Sequence, residues 1–235
     1  MSTAKHTFFC EQIESGFLSE EESNHAIRVL RLKEQEQIKL IDGKGQSALG
    51  RIIDPNKKRV QFQVDATKTH QKPKQELRIV IAPTKNMDRF SFFVEKVIEI
   101  GIERISPVIT SNSERKNLNI EKVRKGAIAA LKQSGNYFLP QIDDLVPIQH
   151  VFNDSSGNHH RYIAHCEDDE NKTALKTVLP TDKKVEILIG PEGDFTKEEI
   201  ILAKENGYLP VSLGESRLRT ETAGIVACHT VNIIS

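Results

Sequence analysis

Hydrophobic and polar positions split the chain into two regimes. In the front stretch the apolar residues come in short runs with a period of two. His6-Thr7-Phe8-Phe9-Cys10 reads as an opening strand. Gln37-Ile38-Lys39-Leu40-Ile41 leads into Asp42-Gly43, and Ala48-Leu49-Gly50-Arg51-Ile52-Ile53 leads into Asp54-Pro55-Asn56. Val60, Phe62 and Val64 then alternate with Arg59, Gln61 and Gln63. Such alternation, broken by turn-forming residues, predicts short strands joined tightly, and several of them in so short a span predict a small barrel. One helix interrupts them. Ser19-Glu20-Glu21-Glu22 has the spacing of a capping box and opens a helix through His25-Ala26-Ile27-Arg28-Val29-Leu30-Arg31. The polar stretch 67–75, which contains Pro73 and has no apolar period, predicts a linker and places a boundary between residues 72 and 73.

Beyond it, continuous apolar runs alternate with helical spacing. Leu77-Arg78-Ile79-Val80-Ile81-Ala82 predicts a buried strand. Phe90, Phe93, Val94, Val97 and Ile98 mark one face of a helix that Gly101 ends. A strand at 105–109, a polar loop at 110–117 and a helix with Ile120, Val123, Ala127 and Leu131 on one face follow. Tyr137-Phe138-Leu139-Pro140 is too short and aromatic to extend that helix and reads as a return to the sheet. Strands are expected at 161–165, 185–189 and 210–213, with helices from Lys197 to about Asn206 and from about Thr220 onward. The alternation predicts an α/β domain over 73–235 with a mainly parallel sheet and helices on both faces. Ligands in such folds sit beyond the carboxyl ends of the strands, which singles out the loops after His165, Ile189 and Leu213.

Composition narrows the class without changing this picture. The 235 residues are 37% hydrophobic and 28% charged, with zero formal net charge. The charge is uneven: residues 1–75 carry 13 basic against 10 acidic side chains, residues 76–150 carry 11 against 9, and residues 151–235 carry 9 against 14. A mildly basic front permits a polyanion partner. In it, Arg28, Arg31, Lys57, Lys58 and Arg59 on a small barrel are candidate RNA contacts, and Arg89 and Arg115 extend the set. No apolar run reaches the ~20 residues of a membrane span. No apolar signal segment opens the chain, and the three cysteines, Cys10, Cys166 and Cys228, form no pattern. A reducing, cytoplasmic location without membrane contact is expected. His159 and His160 with His165 lack companion carboxylates or cysteines, and the Gly/Asn/Ser-rich stretch 154–158 beside them reads as a loop, so no metal is expected.

Two stretches carry candidate chemistry. Gly190-Pro191-Glu192-Gly193-Asp194-Phe195 joins a strand to Thr196-Lys197-Glu198-Glu199, a second capping-box spacing. It is neither of the familiar nucleotide-binding glycine motifs, and alone it reads as an ordinary glycine turn. In Leu213-Gly214-Glu215-Ser216-Arg217-Leu218-Arg219-Thr220-Glu221-Thr222-Ala223, two arginines stand just before a helix N-terminus. Cations there oppose the helix dipole. They are exposed, or paired with Glu215 and Glu221, or they answer an anionic ligand or a developing negative charge.

Together these stretches closely resemble the 16S ribosomal RNA uridine N3-methyltransferases, S-adenosylmethionine enzymes of the knotted SPOUT class. Further similarity lies in His25-Ala26-Ile27-Arg28-Val29-Leu30-Arg31, in Glu95-Lys96 with Glu99-Ile100-Gly101-Ile102 and Ile105-Ser106-Pro107, and in Ala129-Ala130 with Gln133-Ser134. The resemblance implies a PUA-like barrel over 1–72 that helps hold RNA, and a methyltransferase domain over 73–235 whose C-terminal part is a deep trefoil knot. It implies a homodimer acting on the small ribosomal subunit, with the cofactor held between the knot loops. Carried onto this sequence, the cofactor would lie against Ile189, Gly190, Pro191, Glu192 and Gly193, and against Leu213, Gly214, Leu218, Thr220 and Ala223. Cys166 and Glu167, directly after a strand end, would join them. Arg219, with Arg217 second, would stabilise the uracil anion that forms when the N3 proton leaves. Two departures stand out. The family usually reads G-P-E-G-G where this chain has Asp194, a residue that tolerates φ > 0 better than most. The arginine usual after Q-S is missing from Gln133-Ser134-Gly135-Asn136-Tyr137-Phe138. Two alternatives remain open at this point: a SPOUT enzyme with another RNA target, such as a ribose 2′-oxygen, and a non-catalytic RNA-binding factor.

Overall fold

A computed structural model describes residues 4–152, 159–180 and 184–234. The loop expected at 154–158 lies outside the described residues. The chain divides into two compact units, Met1–Lys72 with Ile128–Leu139, and Pro73–Ala127 with Pro140–Ser235.

In the first unit, β1 (Thr7–Phe9) pairs parallel with β2 (Gln37–Ile41), which pairs antiparallel with β3 (Gln46–Asp54), itself antiparallel to β4 (Gln61–Thr69). Among the described residues β1 and β4 do not pair with each other, so the expected barrel appears as a four-stranded sheet. The period of two does what it predicts: Ile38, Leu40, Ala48, Ile52 and Phe62 turn inward and join Phe8, Leu18 and Ala26 in one core. The helix is shorter than its pattern suggests. In α1 (Glu20–Asn24), Ser19 Oγ accepts the Glu22 N–H at 3.2 Å, but the reciprocal half of the capping box is absent because the Glu22 carboxylate pairs with Lys132 at 2.5 Å. A π-type turn over His25–Val29 follows, and Arg31 closes it in the left-handed region at φ 56°.

The second unit contains β5 (Glu76–Ile81), α2 (Met87–Ile100), β6 (Arg104–Ile109) and the start of α3 (Ile120–Ser134). It resumes with β7 (Gln141–Ile142), β8 (Val146–Pro147), α4 (Ile148–Phe152), β9 (His160–Ala164), β10 (Thr173–Ala174) and α5 (Leu175–Val178). It ends with β11 (Lys184–Ile189), α6 (Lys197–Glu205), β12 (Leu209–Ser212) and α7 (Thr220–Ile233). The sheet runs β10-β12-β9-β11-β5-β6-β7, with β8 also on β6, and every pairing is parallel. β5 and β11 are buried along almost their whole length, as continuous apolar runs require when helices cover both faces. Val80, Ile163 and Leu188 pack against Val151 and Phe152 of α4 and Ile200 and Ala203 of α6. On the opposite face α7 lies against α2 and β5, closely enough that a Cβ on Gly224 would sit 2.5 Å from the Phe93 ring.

The aromatic run at Tyr137, read above as a return to the sheet, belongs to the first unit instead. The Gly45 N–H donates to the Tyr137 carbonyl at 3.0 Å, and the Leu139 N–H donates to the Gly43 carbonyl at 2.8 Å. The Tyr137 ring stacks on His70 with centroids 3.4 Å apart. Glycine at 45 makes this possible, because a Cβ there would lie 2.4 Å from the Phe138 ring. The sheet resumes only at β7.

At the entering ends of the parallel strands, polar side chains are buried and paired. Glu186, in register with Arg78, accepts its guanidinium at 2.7 Å and the Tyr208 hydroxyl. Arg78 Nε also donates to Ser106 Oγ at 2.8 Å, and Arg161 Nε lies 3.6 Å from Glu186. Burial would raise the Asp143 carboxyl, but hydrogen bonds from Ser106, Arg104 and Gln141 outweigh it and hold the group below its ordinary 3.8. Among the described residues no helix is long and apolar enough to cross a membrane.

Candidate active site

At the leaving ends of β9, β11 and β12 the second unit encloses a cavity of about 670 Å³. Ile189, Gly190, Pro191 and Glu192 line it from β11, and Leu213, Gly214, Leu218, Thr220 and Ala223 line it from β12 and α7. Cys166 lines it from β9, and both Arg217 and Arg219 stand on its wall. Two residues expected against the cofactor lie off the wall. Glu167 is exposed, and its carbonyl accepts Lys172 Nζ at 2.5 Å. Gly193 faces Asn112, whose Cβ would be 3.3 Å from a Cβ at that position. Smallness at 193 therefore serves loop packing.

The loop at 190–195 is clamped from three sides. Glu192 Oε1 accepts the Lys85 N–H at 3.0 Å, a bracing role for its carboxylate. Asn112 Nδ2 donates to the Gly193 and Asp194 carbonyls at 3.2 and 3.0 Å. Asp194 stands at φ 63°, in the left-handed region it tolerates, and its carboxylate takes the Cys166 N–H at 2.7 Å and the Phe195 N–H at 2.9 Å. It thus joins the loop after β11 to the loop after β9. Gly190 packs against the Phe195 ring, which would stand 3.1 Å from any Cβ there. Both halves of the second capping box form, with Thr196 Oγ1 accepting from Glu199 and the Glu199 carboxylate accepting the Thr196 N–H.

On the opposite wall, Arg219 is the N-cap residue of α7 and makes no side-chain cap. Among the described residues neither Arg217 nor Arg219 has a charged or hydrogen-bonded side-chain partner, and both are exposed. Glu221, a conceivable partner, is buried and turns toward Arg89 at 4.0 Å. Two cations without an ion-pair partner among the described residues therefore stand beside a helix N-terminus, an arrangement that an anionic ligand would complement.

Polar residues on the wall outside the set expected against the cofactor include His165, Asp168, Lys172 and Asp194. His165 ends the buried run of β9. Its side chain is 1% exposed, and both ring nitrogens are buried without a hydrogen-bond partner among the described residues. Burial, with Lys172 next, lowers its pKa below the ordinary 6.5, which favours the neutral ring. Burial and the Asp194 carboxylate raise the Cys166 thiol, and the nearby Arg217 offsets only part of that. The signal for His165 was its place: a polar residue directly following a buried strand at the ligand-binding end.

Of the candidate RNA contacts, Arg28, Arg31, Lys57, Lys58 and Arg59 are all exposed in the first unit, and the Arg59 guanidinium lies over the Phe17 ring at 3.8 Å. In the second unit Arg115 is partly committed, donating to the Thr84 and Lys85 carbonyls at 3.1 and 2.6 Å. Among the described residues no cluster of three or more His, Cys, Asp or Glu side chains is placed to hold a metal.

Residues 70–232 match the model of an RNA methyltransferase domain, and residues 18–65 match that of an RNA methyltransferase PUA domain. This chain belongs to the RNA methyltransferase domain family. Its family relatives include the ribosomal RNA small subunit methyltransferase E of Buchnera aphidicola, 29% identical over 90% of this chain and 85% of that one. The crystal structure of a probable rRNA-methyltransferase from Porphyromonas gingivalis superposes with a TM-score of 0.88, at 37% identity over 95% of each chain. A Legionella pneumophila structure, solved as a methyltransferase with the cofactor SAM bound, superposes at 0.81, with 28% identity over 92% of this chain and 90% of that one. The family places the leaving ends of β9, β11 and β12 in an RNA-modifying domain, and the four-stranded front unit in a PUA-type domain.

Proposed function

We propose that this protein transfers a methyl group from S-adenosylmethionine to N3 of a uridine in 16S ribosomal RNA. The observation that carries this reading is the pairing, on one cavity, of a close-packed glycine loop with two unpartnered arginines. The cavity's volume lies in the range of small-molecule sites. Its apolar wall of Ile189, Leu213, Leu218 and Ala223 suits a nucleoside. The SAM-bound Legionella protein and the relatives named for small-subunit ribosomal RNA support the same cofactor and the same substrate class.

The cofactor, when bound, supplies an electrophilic methyl on a sulfonium, which leaves as a neutral thioether once the carbon is bonded to nitrogen. The protein's part is to make N3 a nucleophile. Loss of the N3 proton to solvent leaves an anion spread over two flanking carbonyl oxygens. Arg219, standing at the mouth with no internal partner, stabilises that charge, and Arg217 assists. Glu192 and Asp194 hold the loop through backbone N–H groups and leave the chemistry to the cations. The exposed basic set of the first unit, from Arg28 to Arg59, holds RNA phosphates.

The reading includes a trefoil knot and a homodimer. The placement of β12 beyond β9, so that the chain leaving β11 must pass β9, supports the former. Exposed Phe92, Ile233 and Ile234, on helices α2 and α7 or just past the end of α7, support the latter. The deciding test is nucleoside analysis of ribosomal RNA from cells lacking the protein, with and without the purified enzyme and S-adenosylmethionine. Restoration of 3-methyluridine is expected. A restored 2′-O-methyl nucleoside in its place, or no heat on titration with the cofactor, overturns the proposal.

A further inference from the structure

The loops that leave β9 and β11 form adjoining parts of the cavity wall, Ala164 to Cys166 from one and Ile189 to Glu192 from the other. The backbone ladder between the two strands ends where Ala164 stands opposite Ile189. Beyond that point a side chain makes the link: Asp194 Oδ2 accepts the Cys166 N–H at 2.7 Å. Asp194 is itself pinned. Its N–H donates to the Pro191 carbonyl at 2.9 Å, its own carbonyl accepts Asn112 Nδ2 at 3.0 Å, and its Oδ1 accepts the Phe195 N–H at 2.9 Å. The same oxygen would lie 3.3 Å from a Cβ at Gly190, so the carboxylate is folded back over the start of its own loop. Glycine would occupy the φ of 63° without steric cost, but it could not supply this carboxylate. The turn's geometry does not call for an aspartate; the bridge to Cys166 does.

We propose that Asp194 is a positioning residue for the cofactor: by tying Cys166 to the loop after β11, it fixes the spacing of the two walls before the ligand arrives. A site already held in its binding geometry loses less freedom on binding, so the tether raises affinity without touching the ligand. The inference rests on the reading of the cavity as the S-adenosylmethionine pocket.

Calorimetric titration with S-adenosylmethionine and with S-adenosylhomocysteine compares the full-length parent with Asp194→Gly and Asp194→Asn. Glycine keeps the left-handed backbone and removes the tether. Asparagine tolerates the same backbone and keeps a neutral acceptor. The glycine variant is expected to lose about tenfold in affinity for both ligands and the asparagine variant to recover most of it, as for a charge-assisted hydrogen bond removed and then replaced by a neutral one. In NMR spectra the Cys166 amide proton, held downfield by the carboxylate in the parent, should move upfield in the glycine variant. A glycine variant that binds both ligands as tightly as the parent overturns the proposal, and so does weakened binding with the Cys166 amide unmoved. A loss confined to S-adenosylmethionine marks direct attraction between the carboxylate and the sulfonium and also overturns it. Should the glycine variant fail to fold, hydrogen exchange in the unaltered, cofactor-free protein decides: a protected Cys166 amide supports the tether, and one exchanging as fast as an unstructured amide overturns it. An unaltered protein that binds neither ligand overturns the reading of the cavity itself, while its Cys166 amide still reports on the tether.

Discussion

The two ends of the parallel sheet handle charge in opposite ways. At the entering end, Arg78, Glu186, Tyr208 and Ser106 are buried and Asp143 is half-buried, and each finds its partner within the protein. At the leaving end, Arg217 and Arg219 are exposed and His165 is buried, and among the described residues none of the three side chains completes a hydrogen bond. Strand direction alone does not impose this contrast. Breaking a buried pair leaves an uncompensated charge, so the entering end is closed to change. The leaving end commits Glu192 and Asp194 to its loops but leaves the two arginines open to solvent, which makes sense where a ligand supplies their partners. Internal pairing thus separates a charge that serves the fold from one left open to a ligand.

Substitutions at each end should fail in different measurements. Glu186→Ala strips Arg78 and Tyr208 together, and its unfolding free energy in denaturant should fall by about 3–5 kcal/mol, with cofactor affinity of the folded protein unchanged. Equal stability in that variant would break the contrast at its strong end. Arg219→Ala should do the reverse. Methyl transfer should drop about 10²–10³-fold, the usual cost of removing one charge-stabilising donor, while the unfolding curve stays in place. An Arg219→Ala protein at full activity removes the catalytic assignment. Gly224→Ala tests the platform behind the site, since its new methyl meets the Phe93 ring at 2.5 Å. About 1–3 kcal/mol of overpacking is expected in thermal or chemical unfolding, relieved by a smaller residue at Phe93.

The smallest effect concerns acid. Asp143 is held below 3.8 in the folded state, so its contribution is fully present above that value and is lost as pH falls through the lowered one. Urea unfolding followed from neutral pH downward should show Asp143→Asn with a shallower acid limb than the parent. Identical limbs would assign acid sensitivity to other carboxylates.

Much of this arrangement was readable along the chain because it rests on local rules. Alternation in β2 to β4 and continuous apolar runs in β5 and β11 follow directly from one-sided and two-sided burial. Thr196 and Glu199 name the start of α6, and the two arginines beside α7 stand out because they oppose its dipole. What escaped depends on distant partners. Glu22 looks like half of a capping box until Lys132 claims it. Tyr137 looks like a strand residue until His70 and Gly45 take it into the other unit. Gly193 and Gly190 read alike in the motif, yet one packs on Asn112 and the other on Phe195. His165 reads in the sequence only as a histidine without metal-binding companions, and its burial and empty hydrogen-bond positions distinguish it.

The membership of residues 128–139 in the front unit has a consequence for modularity. The chain passes between its units at 72/73, at 127/128 and again at 139/140, so the boundary in space is not a single cut in the gene. Removing residues 1–72 would leave the second half of α3 and the aromatic run beyond it without Glu22, Gly43, Gly45 and His70 as partners. The catalytic unit therefore cannot be lifted out as a contiguous cassette. Recombination that exchanges the front unit for another RNA-binding module has to carry the matching helix end with it, which ties the two halves of the protein to a shared evolutionary history.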